Sequence, residues 1–324
     1  MTLARYVQHD TLAAFGADKV NLSADEVADY RAQGSRMRER LERHIDDHPD
    51  YALVKMLNSG SLAKATALST ASDMDLAVYV SAAAAPAGNE ELIYWLRDRL
   101  KEAYPQLDED QFDPQDACVT MRFRTPSLID VDVVPVLYDG AADNLGTLVL
   151  KDTGERVYTS ITQHIEFVRS RNRDHPQDFR QVVRLLKWWS RERQKENTSF
   201  ALSGFMTELI CAHMADDGVN FGDYTGALAA FFTYVAKTEL NERIFFTDNY
   251  AAGALPAATG AAVEIFDPVN ADNNVAAALS AADRDTIVVA AVDANEAIAD
   301  ATYATTKARA VEDWQAVLGP AFNP

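Results

Sequence analysis

At 324 residues the chain can bury a substantial core, and with 48% hydrophobic and 24% charged residues it has the composition of an ordinary globular protein. Its 49 acidic residues outnumber 30 basic ones, and the net charge of −19 argues against broad binding to nucleic acids. The two cysteines, Cys118 and Cys211, have no neighbours at zinc-binding spacing, and this fits a reduced, cytoplasmic compartment. We expect neither a signal peptide in residues 1–10 nor a membrane span, since no apolar run is long enough.

The first half of the chain predicts a mixture of helices and strands. Ser23 and Glu26 have the spacing of a capping box, and the apolar residues behind them recur at helical intervals over residues 24–47. A Gly60-Ser61 turn and a short helix follow the first predicted strand, and a second long helix is predicted between Asn89 and Pro105. Runs rich in apolar residues predict strands over 51–57, 73–80, 117–124 and 128–137.

After Gly154 the pattern becomes helical. Helices are predicted over 161–171, 177–194, 199–215 and 224–240. A loop rich in Pro, Ala and Gly covers 251–262, and a cluster of asparagines at 270, 273 and 274 predicts a turn. Residues 280–317 are helical again, with Ser280 and Asp283 as a second capping pair. The sequence therefore predicts an α/β (α+β) fold with a mixed-sheet half and a mostly helical half.

Asp73 and Asp75 head one of the predicted strands. Because successive side chains of a strand alternate between its faces, both carboxylates point the same way and repel each other unless a cation lies between them. Mg²⁺ takes oxygen ligands and often uses one or two carboxylates together with substrate phosphates. Upstream, Gly60 allows the backbone to approach a phosphate closely, and Ser61 offers a hydroxyl and an N–H group. The stretch predicts a site for a nucleoside triphosphate and its metal.

A second pair of carboxylates, Asp130 and Asp132, shares one face of the predicted strand 128–137. A strand in a sheet core normally keeps carboxylates off its buried face, so we expect this strand to border the same site. Asp132 is predicted to complete the metal site and Asp130 to lie at its rim, although the sequence alone leaves an exchange of the two open. Two metal ions held by three carboxylates can activate a sugar hydroxyl and neutralise a pyrophosphate leaving group.

Five motifs carry a resemblance to a known family. A Gly-Ser turn, an Asp-x-Asp pair and a later Asp on a strand resemble the polymerase-β-like nucleotidyltransferase superfamily. With two further motifs, the set resembles bacterial CD-NTases, relatives of cyclic GMP-AMP synthase and of oligoadenylate synthases, over essentially the whole chain. The likeness is nearest to the clade C enzymes of CBASS anti-phage operons. The motifs are Ser59–Lys64, Asp73–Asp75, Asp132–Pro135, Val183–Trp189 and Asp267–Val275.

The resemblance implies both a fold and a function. It implies a bilobal protein with a catalytic core over 1–160, including a long N-terminal helix, and a helical lobe over 161–324 that completes the nucleotide cleft. The implied activity is Mg²⁺-dependent synthesis, with two ions, of a cyclic oligonucleotide second messenger from ATP. For clade C enzymes the implied product is cyclic tri-adenylate, and the implied partner is a HORMA-domain regulator.

The resemblance also assigns residues. Asp73, Asp75 and Asp132 match the metal-binding carboxylates, Gly60 and Ser61 the phosphate-contacting turn, and Lys187 a lysine that contacts the donor triphosphate. Two departures from the family pattern concern this triphosphate site. Ala65 stands where a glycine is common, and Gly204 stands where a serine is common, with Ser203 one position early as the remaining candidate hydroxyl.

Simpler interpretations compete with these assignments. A lone Asp-x-Asp is usually a turn or a strand cap, and only its combination with Gly60 and Asp132 favours a metal site. Lysines such as Lys187 commonly extend from a helix surface into solvent. Tyr250 is a weak candidate for stacking on a base. The tryptophans are predicted to lie in the core rather than to stack on bases: Trp95, Trp188 and Trp189.

Two other functions stay open at this point. The first is a linear nucleotidyltransferase that modifies an RNA end, a small molecule or a protein, although the acidic net charge argues against RNA. The second is a nucleotide-binding scaffold without turnover. The presence of Asp73, Asp75 and Asp132 argues against a scaffold, because an inactive relative need not keep all three carboxylates.

Overall fold

A computed structural model of the chain describes residues 6–45, 47, 52–84, 89–125, 128–175, 178–250 and 253–324. The helices, in chain order, are α1 (His9–Phe15), α2 (Ala24–Ile45), α3 (Gly60–Lys64), α4 (Asn89–Ala103), α5 (Ile161–Asp174), α6 (Asp178–Glu196), α7 (Gly204–Asp216), α8 (Tyr224–Thr238), α9 (Ala281–Tyr303) and α10 (Lys307–Leu318). The strands are β1 (Leu53–Ser59), β2 (Asp73–Ser81), β3 (Phe112–Pro114), β4 (Val119–Met121), β5 (Asp130–Tyr138), β6 (Gly146–Val149) and β7 (Arg156–Thr159). A π-helical turn, Gly16–Val20, follows α1.

Residues 22–166 form one compact unit around a seven-stranded mixed sheet. Its main path runs β1-β2-β5-β4-β3, and β6 pairs with both β5 and β7. The pairing of β2 with β5 is parallel and the other pairings are antiparallel. The apolar faces of α2 and α4 cover one side of the sheet, where they form the core with residues such as Leu41, Leu96, Leu76 and Val133.

The start of α2 confirms the predicted capping box. The Ser23 N–H donates to Glu26 Oε2 at 2.8 Å, and the Glu26 N–H donates to Ser23 Oγ at 3.2 Å. The helix ends at Ile45, close to the predicted Asp47, and the first strand begins at Leu53 rather than at residue 51, which lies outside the described residues. Helix α4, Asn89–Ala103, agrees with the helix predicted between Asn89 and Pro105.

The strands differ from the prediction mainly in length and number. The strand predicted over 117–124 is only three residues long, because β4 pairs with its neighbours over Val119–Met121 alone. Three short strands, β3, β6 and β7, were not predicted. They contain three or four residues each, too few for an alternating pattern to stand out from the sequence around them.

The described residues of 6–21 and 167–324 form the second compact unit. The sequence predicted a boundary between residues 160 and 161, whereas in the structure residues 6–21 belong to the same unit as the later helices. Trp189 is buried against Phe200 and Phe232, and the Trp188 indole N–H donates to the Leu318 carbonyl at 2.8 Å, so both are core residues as predicted. Trp95, in the sheet unit, is partly buried against its core.

The loops and ends of this unit follow local capping chemistry. Asn274 Oδ1 accepts hydrogen bonds from the N–H groups of Ile265 and Ala276 at 3.0 Å each, and this confirms the predicted asparagine turn. Ser280 and Asp283 form the predicted capping box of α9. The helical stretch 280–317 is divided, because Thr306 caps a separate helix, α10. Among the described helices, none combines the length and apolar character required to cross a bilayer.

Candidate active site

The four aspartates lie together on one face of the sheet. In the parallel register of β2 and β5, Asp73 is the partner of Asp130, and Asp75 is the partner of Asp132. Neighbouring strands lie about 4.8 Å apart, so each pair brings two carboxylates side by side. Asp73 is exposed and the other three are half-buried. The opposite face carries Met74, Leu76, Val131 and Val133 into the core, as the alternation predicted.

The turn between β1 and α3 lies against Asp75. Gly60 has a φ of +62°, in the left-handed region, and Ser59 before it is the register partner of Asp75. A Cβ added at Gly60 would overlap the Asp75 carboxylate and would lie 3.0 Å from the Asp75 Cβ. Only glycine therefore fits here, both by conformation and by space. The structure brings Gly60 of the predicted phosphate turn directly beside Asp75.

The two aspartates of β5 have different surroundings. Asp132 Oδ1 accepts a hydrogen bond from Thr120 Oγ1 at 2.6 Å, across the antiparallel pairing in which these residues are direct partners. Asp130 Oδ1 accepts from the Phe123 N–H at 2.8 Å, so this carboxylate fixes the chain just after β4. Sequence reasoning missed Thr120, because its signal is the pairing of β4 with β5, which the sequence does not show.

The thiol of Cys118 lies close enough to Asp132 to be affected by its charge. Burial, followed by the charge of Asp132, raises the pKa of Cys118 to about 12, while a hydrogen bond with Thr120 acts in the opposite direction. Cys118 is therefore a neutral thiol at physiological pH. It adds no further negative charge to a face that already carries four carboxylates.

The donor set can be compared with the needs of Mg²⁺. No three His, Cys, Asp or Glu side chains in the described part of the chain are arranged to hold a metal ion by themselves. Mg²⁺ keeps several waters and commonly binds through one or two carboxylates plus substrate phosphates, so it does not need such a cluster. The adjacent Asp75 and Asp132, with the Gly60 turn packed against Asp75, fit this chemistry.

The departure at Ala65 has a structural consequence. Ala65 ends α3 with φ 58° and ψ 39°, a left-handed conformation that costs a residue with a Cβ about 1–2 kcal/mol. The Ala65 N–H donates to the Leu62 carbonyl at 3.2 Å, and the next N–H, of Thr66, donates to the Ser61 carbonyl at 2.9 Å. Glycine is the usual residue at such a helix end, so the backbone here has the shape that glycine favours.

The candidate residues of the helical unit form a separate group. Lys187 Nζ pairs with Glu208 Oε1 at 2.5 Å, and the side chains are only 10% and 2% exposed. The lysine does not extend into solvent, in contrast to the simpler interpretation of the sequence. Its stem lies against Gly204, where an added Cβ would be 3.2 Å from Lys187 Cε. Ser203 caps α7, with its Oγ accepting from the Met206 N–H at 3.1 Å.

Tyr250 lies in the same unit. Its hydroxyl donates to the Asp267 carbonyl at 2.6 Å, and burial raises its pKa. The phenol therefore stays protonated and acts as a fixed donor within the loop that follows α8. The side chain predicted as a base-stacking candidate is half-buried.

Comparison with known proteins decides the family. No family model matches the chain. A curated relative from Escherichia coli (strain MS 115-1), named cyclic AMP-AMP-AMP synthase, is 45% identical over 318 residues, which cover 98% of each protein. The chain belongs to the bacterial CD-NTase family. This confirms the resemblance drawn from the five motifs, and the CD-NTase is accordingly a nucleotidyltransferase of the CBASS oligonucleotide-cyclase kind.

Solved structures agree with this assignment and with the predicted fold class. The CD-NTase matches the E. coli MS115-1 CdnC structure solved with ATP at a TM-score of 0.90 and 45% identity, covering 98% of this chain and 100% of that one. It matches the CdnC:HORMA-deltaN complex at a TM-score of 0.89, again with 45% identity and coverage of 98% and 99%. The α/β fold, a mixed sheet with helices, is thus that of a polymerase-β-like nucleotidyltransferase.

Proposed function

We propose that this CD-NTase joins ATP into cyclic tri-adenylate in a Mg²⁺-dependent reaction. The observation that carries the proposal is the β2–β5 register, which sets Asp75 beside Asp132 next to the Gly60 turn. The name of the relative, cyclic AMP-AMP-AMP synthase, and the ATP in the related CdnC structure support the choice of substrate and product. The anti-phage role and a cytoplasmic location belong to the same proposal.

In this proposal the carboxylates of Asp73, Asp75 and Asp132 hold the metal. When bound, Mg²⁺ neutralises phosphate charge and makes the attacking sugar hydroxyl more acidic. The turn at Gly60 and Ser61 is assigned to the phosphates, since it packs against Asp75 and its serine supplies a hydroxyl and an N–H group. The protein thereby orients the triphosphate beside the carboxylates before the reaction begins.

We further assign Lys187 and Ser203 to the donor triphosphate. The ammonium of Lys187 is largely desolvated and fixed by Glu208, which makes it a rigid positive charge rather than a mobile one. Ser203 already accepts a backbone hydrogen bond through its oxygen, and its hydroxyl proton remains available for a phosphate. At position 204 the Lys187 stem lies against a glycine, where an added Cβ would be 3.2 Å from Lys187 Cε.

Product analysis tests the proposed reaction. Each nucleoside triphosphate is incubated with the purified enzyme and Mg²⁺, then treated with phosphatase and examined by mass spectrometry. We expect a phosphatase-resistant product from ATP alone, with the mass of cyclic tri-adenylate. Phosphatase-sensitive products only would favour a linear nucleotidyltransferase instead.

The double variant Asp73→Asn, Asp75→Asn tests the site. We expect a folded protein without detectable turnover, because the metal-holding charges are gone. Its thermal stability without metal should equal or exceed that of the parent, since like charges no longer crowd the start of β2. Turnover near the parental rate would remove these residues from the site.

A HORMA-domain protein is the proposed partner. The related CdnC:HORMA-deltaN complex supports this assignment, as does the need to restrain an enzyme that makes a signalling molecule. We expect the purified enzyme to be slow and to be accelerated when a HORMA-domain protein encoded beside it is added. A rate that is already maximal, and that the added protein does not change, would contradict the assignment.

A further inference from the structure

One side chain donates a short hydrogen bond to the Asp132 carboxylate. The Thr120 hydroxyl donates to Asp132 Oδ1 at 2.6 Å, and no other side-chain hydrogen bond reaches this carboxylate from the described residues. The distance falls in the range of charge-assisted O–H···O⁻ bonds, which are stronger than neutral ones. The rotation of a carboxylate about its last torsion is otherwise broad, so a single firm donor is enough to set it.

The strand order decides which side of the carboxylate stays open. β5 lies between β2 and β4, so Thr120 approaches Asp132 from the side opposite to Asp75. One oxygen of Asp132 is thereby occupied on the β4 side, and Oδ2 remains for other use. Without Thr120, the carboxylate could turn, driven partly by repulsion from Asp75 in the adjacent strand.

We propose that Thr120 is a positioning residue of the reaction, which orients the Asp132 carboxylate towards the substrate and its metal. The inference rests on the proposed function, in which Asp132 belongs to the site. Partners of this kind behind metal-binding side chains typically change metal affinity or activity by about 10–100-fold when removed. Thr120 itself touches neither substrate nor metal in this assignment.

The test compares variants that differ in the hydroxyl. Thr120→Val keeps the branched shape and loses the donor, whereas Thr120→Ser keeps the donor and loses a methyl group. Thr147→Val, in β6 of the same sheet, is the matched control, because Thr147 is a half-buried strand threonine like Thr120 but pairs with Leu137 and Tyr158 rather than with an aspartate. Two readouts are used: kcat and KM for ATP, and the Kd of Mn²⁺ titrated into the protein with a non-hydrolysable ATP analogue and followed by electron paramagnetic resonance.

We expect Thr120→Val to lower kcat about 10–100-fold with KM for ATP within about twofold of the parent, and to weaken Mn²⁺ binding about tenfold. Thr120→Ser should restore most of both, and Thr147→Val should change neither. If Thr120→Val fails to fold, Thr120→Ala replaces it with the same expectations.

Two results would overturn the inference alone. The first is that Thr120→Val keeps the parental kcat and Mn²⁺ affinity. The second is that Thr120→Val and Thr120→Ser lose kcat and Mn²⁺ affinity equally, which would show that the shape of the side chain matters rather than its hydroxyl. Asp132→Asn is measured in parallel to separate the two proposals. Parental turnover in Asp132→Asn would refute the carboxylate site, and this inference with it, whereas an inactive Asp132→Asn beside a fully active Thr120→Val refutes only the role of Thr120.

Discussion

Replacing Gly60 with alanine tests the geometry of the phosphate turn most directly. Gly60 combines a left-handed φ of +62° with a position against the Asp75 carboxylate, where an added Cβ would overlap its Cγ and one oxygen. Gly140 provides a matched control in the same unit. Its φ is +91°, and apart from its chain neighbours no atom of the described residues lies within 4 Å of an added Cβ. Gly140→Ala therefore imposes backbone strain without a steric clash.

The two substitutions share their backbone cost. A left-handed conformation costs alanine about 1–2 kcal/mol, and the stiffer unfolded chain offsets about 0.4–1 kcal/mol of that cost. Forcing extra atoms into a filled space adds about 1–3 kcal/mol for Gly60→Ala alone. We therefore expect Gly60→Ala to be less stable than Gly140→Ala by about 1–3 kcal/mol. Because the Asp75 carboxylate must move aside, turnover should also fall sharply in Gly60→Ala and stay near parental in Gly140→Ala.

Urea unfolding of both variants and of the parent gives the stability difference, and initial rates with Mg²⁺ and ATP give turnover. The expected signature is a loss of both quantities at Gly60 and a modest loss of stability alone at Gly140. Equal stabilities of the two variants, together with parental turnover in Gly60→Ala, would refute the close packing of the turn on Asp75.

Three further predictions concern other parts of the two units. Ala65→Gly should raise the free energy of unfolding in urea by about 0.5–1 kcal/mol, because glycine adopts the left-handed end of α3 without strain. Lys187→Met should lower the free energy of unfolding by about 3–5 kcal/mol in the same assay, because it removes the cation that pairs with buried Glu208. Adding Glu208→Gln should recover much of that stability. The KM for ATP is therefore best measured in the double variant. Burial and the charge of Asp132 raise the pKa of Cys118 to about 12, so its alkylation by iodoacetamide at pH 8 should be far slower than that of free cysteine. Mass spectrometry measures the labelling, and rapid labelling of Cys118 would contradict this environment.

Local signals in the sequence were enough for most helices and for the faces of the long strands, although α1 was not predicted and the division of 280–317 into α9 and α10 was missed. The two capping boxes at Ser23 and Ser280 form as predicted, because their hydrogen bonds involve residues only three apart. The alternation along β2 and β5 placed the carboxylates and the apolar residues correctly. Short strands such as β6 exist because a partner strand is available, and no pattern within four residues reveals the partner.

The environment of the candidate residues was harder to predict, because it also depends on partners from other strands and helices. Gly60 and Asp75 could be singled out from their types and spacing, but the contact between them depends on the pairing of β1 with β2. Thr120 has no distinguishing pattern in the sequence, and Glu208 lies 21 residues from the lysine that it pairs with. Partners distant in the chain emerge only from the fold.

The packing of the core explains why the carboxylates meet despite repelling each other. Met74 and Leu76 of β2 and Val131 and Val133 of β5 are buried on one face of the sheet, and burial of each such side chain contributes about 1.5–3 kcal/mol. A slip of one residue in the register would carry these side chains out of the core, so the core fixes the register. Because side chains alternate between the two faces of a strand, the aspartates then lie on the other face of the sheet, in adjacent pairs. The apolar side of the same strands fixes the positions of the four aspartates, so we expect substitutions that neutralise their charges to leave the fold intact.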